Sequence, residues 1–347
     1  MTSLYPYFRA LLFRLDPERA HALSLGLMRL VGSLPPLAAV VRAWFAAPEK
    51  PVRVFGLEFK NPVGLAAGYD KDGLAWRGLA CLGFSHIEVG TVTLKPQAGN
   101  PRPRLARLPR ERALVNRLGF PSRGLEFLIR RVRGTRPSGL LLGLNLGVNK
   151  DTPLEMAAQD YLELLERCAS LADYLVVNVS SPNTIGLRRL QGRQALEGLL
   201  SQLAQRRRAL LEQSRRCPPL LVKLAPDLTD AELDDALQVV EATGMDGVIA
   251  ANTTLSRAGV EPQSLARSAW AARAGGLSGS PLRSLSTAMV RKIHARSGGR
   301  LPIIAAGGVM GALDAREKLE AGAALVQVYT GLVYQGPGLV KEILQGL

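Results

Sequence analysis

The chain has 347 residues, of which 47% are hydrophobic and 21% charged. That is a globular mixture, which excludes disordered and fibrous classes. Its three cysteines form no CxxC pair and its three histidines lie far apart, which excludes a disulfide scaffold and a zinc signature and points to a reducing compartment. The net charge is +15, yet nine lysines leave 35 of the 44 basic residues as scattered arginines, so the basicity reads as arginine preference rather than a nucleic-acid patch.

The first 47 residues differ from the rest. Leu4, Phe8, Leu11, Leu12 and Leu15 recur at helical spacing, with Arg9 and Arg14 between them. Asp16, Pro17 and Glu18 read as an N-cap, a first-turn proline and an early acid. The helix they open carries Ala20, Leu23, Leu27, Leu30, Val31 and Leu34 on one side and ends at Pro35-Pro36; residues 37–45 suggest a third short helix. By pattern alone such helices pack on a domain or lie in a membrane interface, and packing is the commoner fate. No secretory pattern and no run of about 18 uncharged apolar residues is present, so no spanning helix is expected.

From residue 52 onward short apolar runs alternate with helical stretches. The strands are predicted at 63–67, 86–90, 140–146, 174–179, 220–224, 247–251, 302–306 and 325–328, with helices at 154–171, 195–212, 231–243 and 282–295 among those between them. Eight such units predict an α/β fold, a (β/α)8 barrel, over an open doubly wound sheet.

In a barrel the loops after the strands carry the chemistry. Those loops bring Gly68 and Lys71, then Thr91, then Asn145, then Asn178 and Asn183, then Asn252, with Lys223 inside the fifth strand. Amides offer paired donors and acceptors, which suits a flat heterocycle with C=O and N–H groups. The lysines balance an anion or developing negative charge. Glycine-rich turns after strands seven and eight match the usual phosphate site. No histidine or carboxylate pair serves acid–base work, which disfavours glycosidase and triad-hydrolase chemistry.

Taken together, the motifs resemble the dihydroorotate dehydrogenase family. They are Ala66-Ala-Gly-Tyr-Asp-Lys-Asp-Gly73, Glu88-Val-Gly-Thr-Val-Thr93, Asn116-Arg-Leu-Gly-Phe120, Asn145 in Leu-Asn-Leu-Gly, Asn149-Lys-Asp-Thr152, Asn178-Val-Ser-Ser-Pro-Asn-Thr184, Val222-Lys-Leu-Ala-Pro-Asp227, Asn252-Thr-Thr254, Gly275-Gly-Leu-Ser-Gly279 and Gly307-Gly-Val309. They run in family order from about residue 50 to about residue 340. Ser181 stands where the cytosolic class 1 enzymes carry cysteine, and the segment around Asp16 to His21 looks like the extension of the quinone-using class 2 enzymes. Residues 1–47 are therefore expected to form a helical quinone and membrane domain, and residues 48–347 an FMN-binding barrel.

The resemblance implies oxidation of dihydroorotate to orotate in pyrimidine synthesis, with FMN as cofactor and a membrane quinone as acceptor. Ser181 is the implied general base, with Thr184 and Phe120 shaping the proton exit. Lys71, Asn116, Arg117, Leu118, Gly119, Phe120, Asn178, Asn183, Asn252 and Thr253 are implied for the substrate. Ala67, Gly68, Tyr69, Asp70, Lys71, Thr91, Asn145, Asn178, Lys223, Gly279, Gly308, Tyr329 and Thr330 are implied for FMN, and His21, Arg107 and Tyr329 for the quinone. Lys223 near the flavin would favour its negatively charged reduced form. Ala251 departs from the family pattern, where threonine is frequent. No metal and no nucleic acid is expected. The protein is expected to be a monomer, held peripherally on the cytoplasmic face of the cell inner membrane. The rivals are a class 1 enzyme using fumarate or NAD, a tRNA-modifying FMN barrel, which would carry a catalytic cysteine, and a non-enzymatic binding barrel.

Overall fold

The computed structural model describes residues 5–213, 216–266 and 268–347. Leu4, the first residue of the N-terminal helical pattern, lies outside them. Three helices come first: α1 (Tyr5–Leu12), α2 (Pro17–Ser33) and α3 (Pro35–Trp44). Asp16 caps α2 by accepting from the N–H groups of Glu18 and Arg19 at 3.0 and 3.1 Å, and Pro17 opens the helix. Pro35 restarts the chain in a new direction, at 110° to α2.

Thirteen strands follow: β1 (Val52–Val54), β2 (Leu57–Phe59), β3 (Val63–Leu65), β4 (His86–Val92), β5 (Leu105–Leu108), β6 (Ala113–Asn116), β7 (Leu141–Leu146), β8 (Tyr174–Asn178), β9 (Leu220–Leu224), β10 (Gly247–Ala250), β11 (Gly276–Gly279), β12 (Ile303–Ala306) and β13 (Leu325–Val328). Eight of them, β3, β4, β7, β8, β9, β10, β12 and β13, close a parallel barrel in chain order. All eight predicted strands are these eight, with ends shifted by at most two residues. The predicted helix 154–171 is shorter than expected, a 3₁₀ turn at Leu154–Met156 and an α-helix at Ala157–Cys168.

Alternation along each strand sorts the core. Tyr174, Val176, Leu221, Ile249, Ile304 and Leu325 pack together inside the barrel with Phe59. That phenylalanine comes from the β1–β2 hairpin, which puts its ring 5.2 Å from the His86 ring at the barrel's lower end. The larger core lies outside, between the strands and their helices. At the other end β5, β6 and β11 form a small antiparallel sheet that the sequence pattern does not reveal.

The N-terminal helices are fastened to the barrel. Tyr5 donates to the Val333 carbonyl at 2.7 Å and Arg9 to that of Tyr334 at 2.8 Å. Glu18 pairs with Arg102 and Arg104, each at 3.0 Å. The tightest seat is glycine on glycine. A Cβ on Gly78 would lie 1.8 Å from the Met28 carbonyl oxygen, and one on Gly32 would lie 2.6 Å from the Gly78 nitrogen. The outer faces are bare: Leu23, Leu27 and Leu30 of α2 and Val40 and Trp44 of α3 are about half exposed or more.

Two substitutions test this seating. Gly78→Ala should overpack the α2 contact and cost roughly 1–3 kcal/mol. Gly26→Ala, in the same helix with nothing within 4 Å of its Cβ position, should gain about 0.5–1 kcal/mol. Thermal and denaturant midpoints measure both; equal effects would show that α2 is not pressed on Gly78.

Candidate active site

A cavity opens at the carboxyl ends of the barrel strands. Among the described residues its wall contains two cations, Lys71 and Lys223, five amides, Asn116, Asn178, Asn183, Asn252 and Gln327, and no carboxylate. One end is backbone. Gly307 and Gly308 have φ of +107° and +78°, which only glycine adopts freely. Gly279 and Thr330 line the same cavity. Thr330 opens the helix Thr330–Gln335, and its hydroxyl lies 2.8 Å from that of Ser278.

The floor is a continuous polar network. Asn178 Nδ2 donates to Asn145 Oδ1 at 2.9 Å and to Thr91 Oγ1 at 3.0 Å, and Thr91 donates to Asn145 Oδ1 at 2.5 Å. Asn145 Nδ2 and Gln327 Nε2 each donate to the Glu88 carboxylate at 2.7 Å. Lys223 Nζ stands 3.7 Å from the same carboxylate. All of these side chains are at least nine-tenths buried.

Above the floor lies the loop after β8. The Asn183 N–H donates to Ser181 Oγ at 3.2 Å, and Asn183 Nδ2 donates to Asn116 at 2.9 Å. Asn183 Oδ1 and Thr184 Oγ1 are buried without partners, so Asn183 has an acceptor ready for a ligand N–H. Arg188 ties the loop down. It donates to the carbonyls of Ser180 at 3.0 Å and Thr253 at 2.9 Å while pairing with Asp227 at 2.8 Å. Lys71 reaches back to the Gly68 carbonyl at 2.8 Å. Burial pushes its pKa down to about 8 against the pull of Asp72, with Arg104 lowering it further.

A second cavity lies between α1, α2 and the barrel top. His21, Ser24 and Pro17 line it from α2, Tyr5 and Leu12 from α1, and Tyr69 and Arg107 from the barrel side. Leu105, Leu114 and Tyr329 belong to both cavities and form the wall between them. The Tyr329 ring stands edge-on to Tyr69, which is edge-on to His21, at 5.5 and 4.9 Å. Burial, then Lys71, lowers the His21 pKa to about 4, so the imidazole is neutral near pH 7.

The family model described as dihydroorotate dehydrogenase matches residues 51–347. The chain is 51% identical over 348 residues to dihydroorotate dehydrogenase (quinone) of Anaeromyxobacter dehalogenans (strain 2CP-C), covering 99% of this chain and 92% of the relative. It is 49% identical over 344 residues to the protein of that name in Azotobacter vinelandii, covering 99% and 96%. A crystal structure of DHODH from Eimeria tenella in complex with ferulenol superposes with a TM-score of 0.85 at 38% identity, covering 95% of this chain and 90% of that one. The chain belongs to the dihydroorotate dehydrogenase family. Such enzymes are in general flavin-dependent.

Most of the site residues suggested by the family resemblance converge. Ala67, Gly68, Lys71, Thr91, Asn116, Leu118, Gly119, Phe120, Asn178, Ser181, Asn183, Lys223, Asn252, Thr253, Gly279, Gly308, Tyr329 and Thr330 line the barrel cavity. Tyr69, His21 and Arg107 line the second one, with Tyr329. Five lie elsewhere. Asn145 sits beneath Asn178 and Thr91. Asp70 is fully buried and accepts from the N–H groups of Leu74 and Ala75 at 2.8 and 2.7 Å. Tyr69 stands on the far side of the wall. Arg117 points outward, bonded to the Pro103 carbonyl and stacked 4.7 Å from the Trp270 ring. Thr184 lies behind Asn183. Glu88 and Gln327 were not singled out, although a carboxylate in an apolar strand carries the same signal as Lys223. Leu105 and Leu114 had no signal, since both belong to the small sheet.

The cavity fits a flavin on its own evidence. Its two cations, its amides and its glycine-walled end suit a flat anionic cofactor beside a small anion. Lys71 makes the anion site titratable. Its ammonium is present below about pH 8 and lost above, so the affinity of a carboxylate ligand should fall up to tenfold per pH unit above about pH 8. Calorimetric titration with orotate measures this. Lys71→Met should bind more weakly with a flat profile; a wild-type profile matching the variant's would remove Lys71 from the site.

Proposed function

We propose that the protein oxidises dihydroorotate to orotate, holding FMN in the barrel cavity and passing electrons to a quinone in the second cavity. The observation that carries this reading is the shared wall of Leu105, Leu114 and Tyr329 between a cavity lined by cations and amides and one lined by N-terminal helices. The names of the relatives add the quinone, which favours class 2 over a class 1 acceptor.

FMN, when bound, supplies the hydride acceptor and relays electrons onward. Lys223, Thr91, Gly68, Gly279, Gly308 and Thr330 would hold it. Asn116, Asn178, Asn183 and Asn252 would orient the substrate ring, and Lys71 its carboxylate. Ser181 takes the C5 proton. The Asn183 N–H already donates to Ser181 Oγ, which stabilises negative charge developing on that oxygen. Thr184 and Phe120 shape the proton's exit. Phe120 has a φ of +52°, with its carbonyl held by Gln97 Nε2 at 2.9 Å. His21, Arg107 and Tyr329 face the quinone.

We assign residues 1–47 to a membrane-facing quinone module and residues 48–347 to the catalytic barrel, with the protein a monomer bound peripherally to the cytoplasmic face of the inner membrane. Among the described residues no single helix is long and apolar enough to cross a membrane. The exposed leucines of α2 and Trp44 instead support lying in the interface.

The visible spectrum of the purified protein tests the cofactor, and stopped-flow reduction tests the base. Ser181→Ala should retain flavin but slow its reduction by dihydroorotate about 10²- to 10⁴-fold. Reduction at wild-type speed would remove Ser181 from the role.

Vesicle flotation tests the membrane face. The full chain should float with anionic vesicles, and added salt should weaken but not abolish the association, because the apolar share is unscreened. Leu27→Asp with Leu30→Asp, both exposed and therefore compatible with the fold, should largely abolish flotation. Unchanged flotation would make general basicity the cause.

A further inference from the structure

Glu88 is a fully buried carboxylate on an inner strand of the barrel, and no step above uses it. Its surroundings supply it with donors. The Ser180 backbone N–H can only donate, and it donates to Asn178 Oδ1 at 3.3 Å. Asn178 Nδ2 must therefore face Asn145, and it bonds Oδ1 there. That leaves Asn145 Nδ2 for Glu88 Oε1, while Gln327 Nε2 serves Oε2. Oε1 thus accepts from an amide whose orientation this chain of bonds sets, and Oε2 accepts from Gln327. The cation facing it is Lys223, at 3.7 Å. Lys223 lines the barrel cavity and Glu88 does not.

We propose that Glu88 is a positioning residue: the counter-ion that holds the Lys223 ammonium against the flavin and, by balancing its charge, sets the reduction potential of the cofactor. This rests on the reading of Lys223 as a flavin contact. A lone cation beside the ring favours the electron-rich reduced state. The carboxylate partner tempers that preference and prevents Lys223 from swinging to another acceptor. The amide donors keep the carboxylate ionised without a second cation.

The test is the midpoint potential of FMN in the holoenzyme. Glu88→Gln should raise it by about 30 mV or more, a tenfold shift in the reduced-to-oxidised ratio for a two-electron couple. The new amide can be accommodated, because Gln327 Oε1 is buried without a partner and a flip of that side chain turns an acceptor toward it. Glu88→Asp, which keeps the charge, should restore a near wild-type potential. Lys223→Met should lower the potential.

If Lys223→Met lowers the potential and Glu88→Gln leaves it unchanged, the role of Glu88 is refuted and the flavin reading stands. If Lys223→Met has no effect, the contact reading of Lys223 falls and takes this one with it. Equal shifts in Glu88→Asp and Glu88→Gln would mean lost packing rather than lost charge, and would also overturn the proposal. Should Glu88→Gln fail to fold, the Glu88→Gln/Lys223→Met double variant should fold again, since it leaves no unpaired charge. Failure of the double variant as well would overturn the pairing.

Discussion

A lysine inside a barrel is tolerable only if its charge is answered there, and Lys223 is answered by Glu88 at 3.7 Å. Removing both ions from water costs several kcal/mol each unless their remaining hydrogen-bonding positions are filled. Two amides fill those of the carboxylate. The orientation of one of them passes through Asn178 to the backbone of the loop that carries Ser181. A single electrostatic requirement thus aligns the floor of the cavity with its reactive loop. It also divides the barrel interior. Polar side chains occupy the upper layers, and a mainly apolar set together with His86, closed off by Phe59 of the hairpin, occupies the lower.

The parts of this arrangement that follow from local pattern were legible in the sequence. Parallel strands buried on both faces read as apolar runs, so the eight barrel strands stood out. The cap at Asp16 is a local bond and was equally plain. The small sheet was not legible. Arg107 and Arg104 make its first strand look like a charged loop, and Gly276 to Gly279 offers almost no apolar signal. Only its pairing with residues more than 150 positions away makes it a strand. The landing of α2 on Gly78 was hidden for the same reason, since a close approach between two glycines leaves no trace in hydropathy. Arg117 shows the opposite failure. It sits inside a motif whose neighbours line the cavity, yet its long side chain finds Trp270 and the Pro103 carbonyl outside. A motif locates backbone; it does not say where a flexible side chain ends.

The N-terminal helices carry apolar side chains on more than one side. A helix apolar on one stripe needs one partner, and a helix apolar on more than one face needs two. In α2 the inner side buries Ala20 and Val31 and presses Gly32 on the barrel, while Leu23, Leu27 and Leu30 remain outside. An apolar surface of that extent is held in water only at a cost, which a lipid interface removes. The same helices line the second cavity, and under the proposed function they would shield an apolar acceptor there from water. Between that acceptor and the barrel cavity stand Leu105, Leu114 and Tyr329. Under the proposed function, substrate and acceptor would occupy separate cavities, and only electrons would need to cross between them.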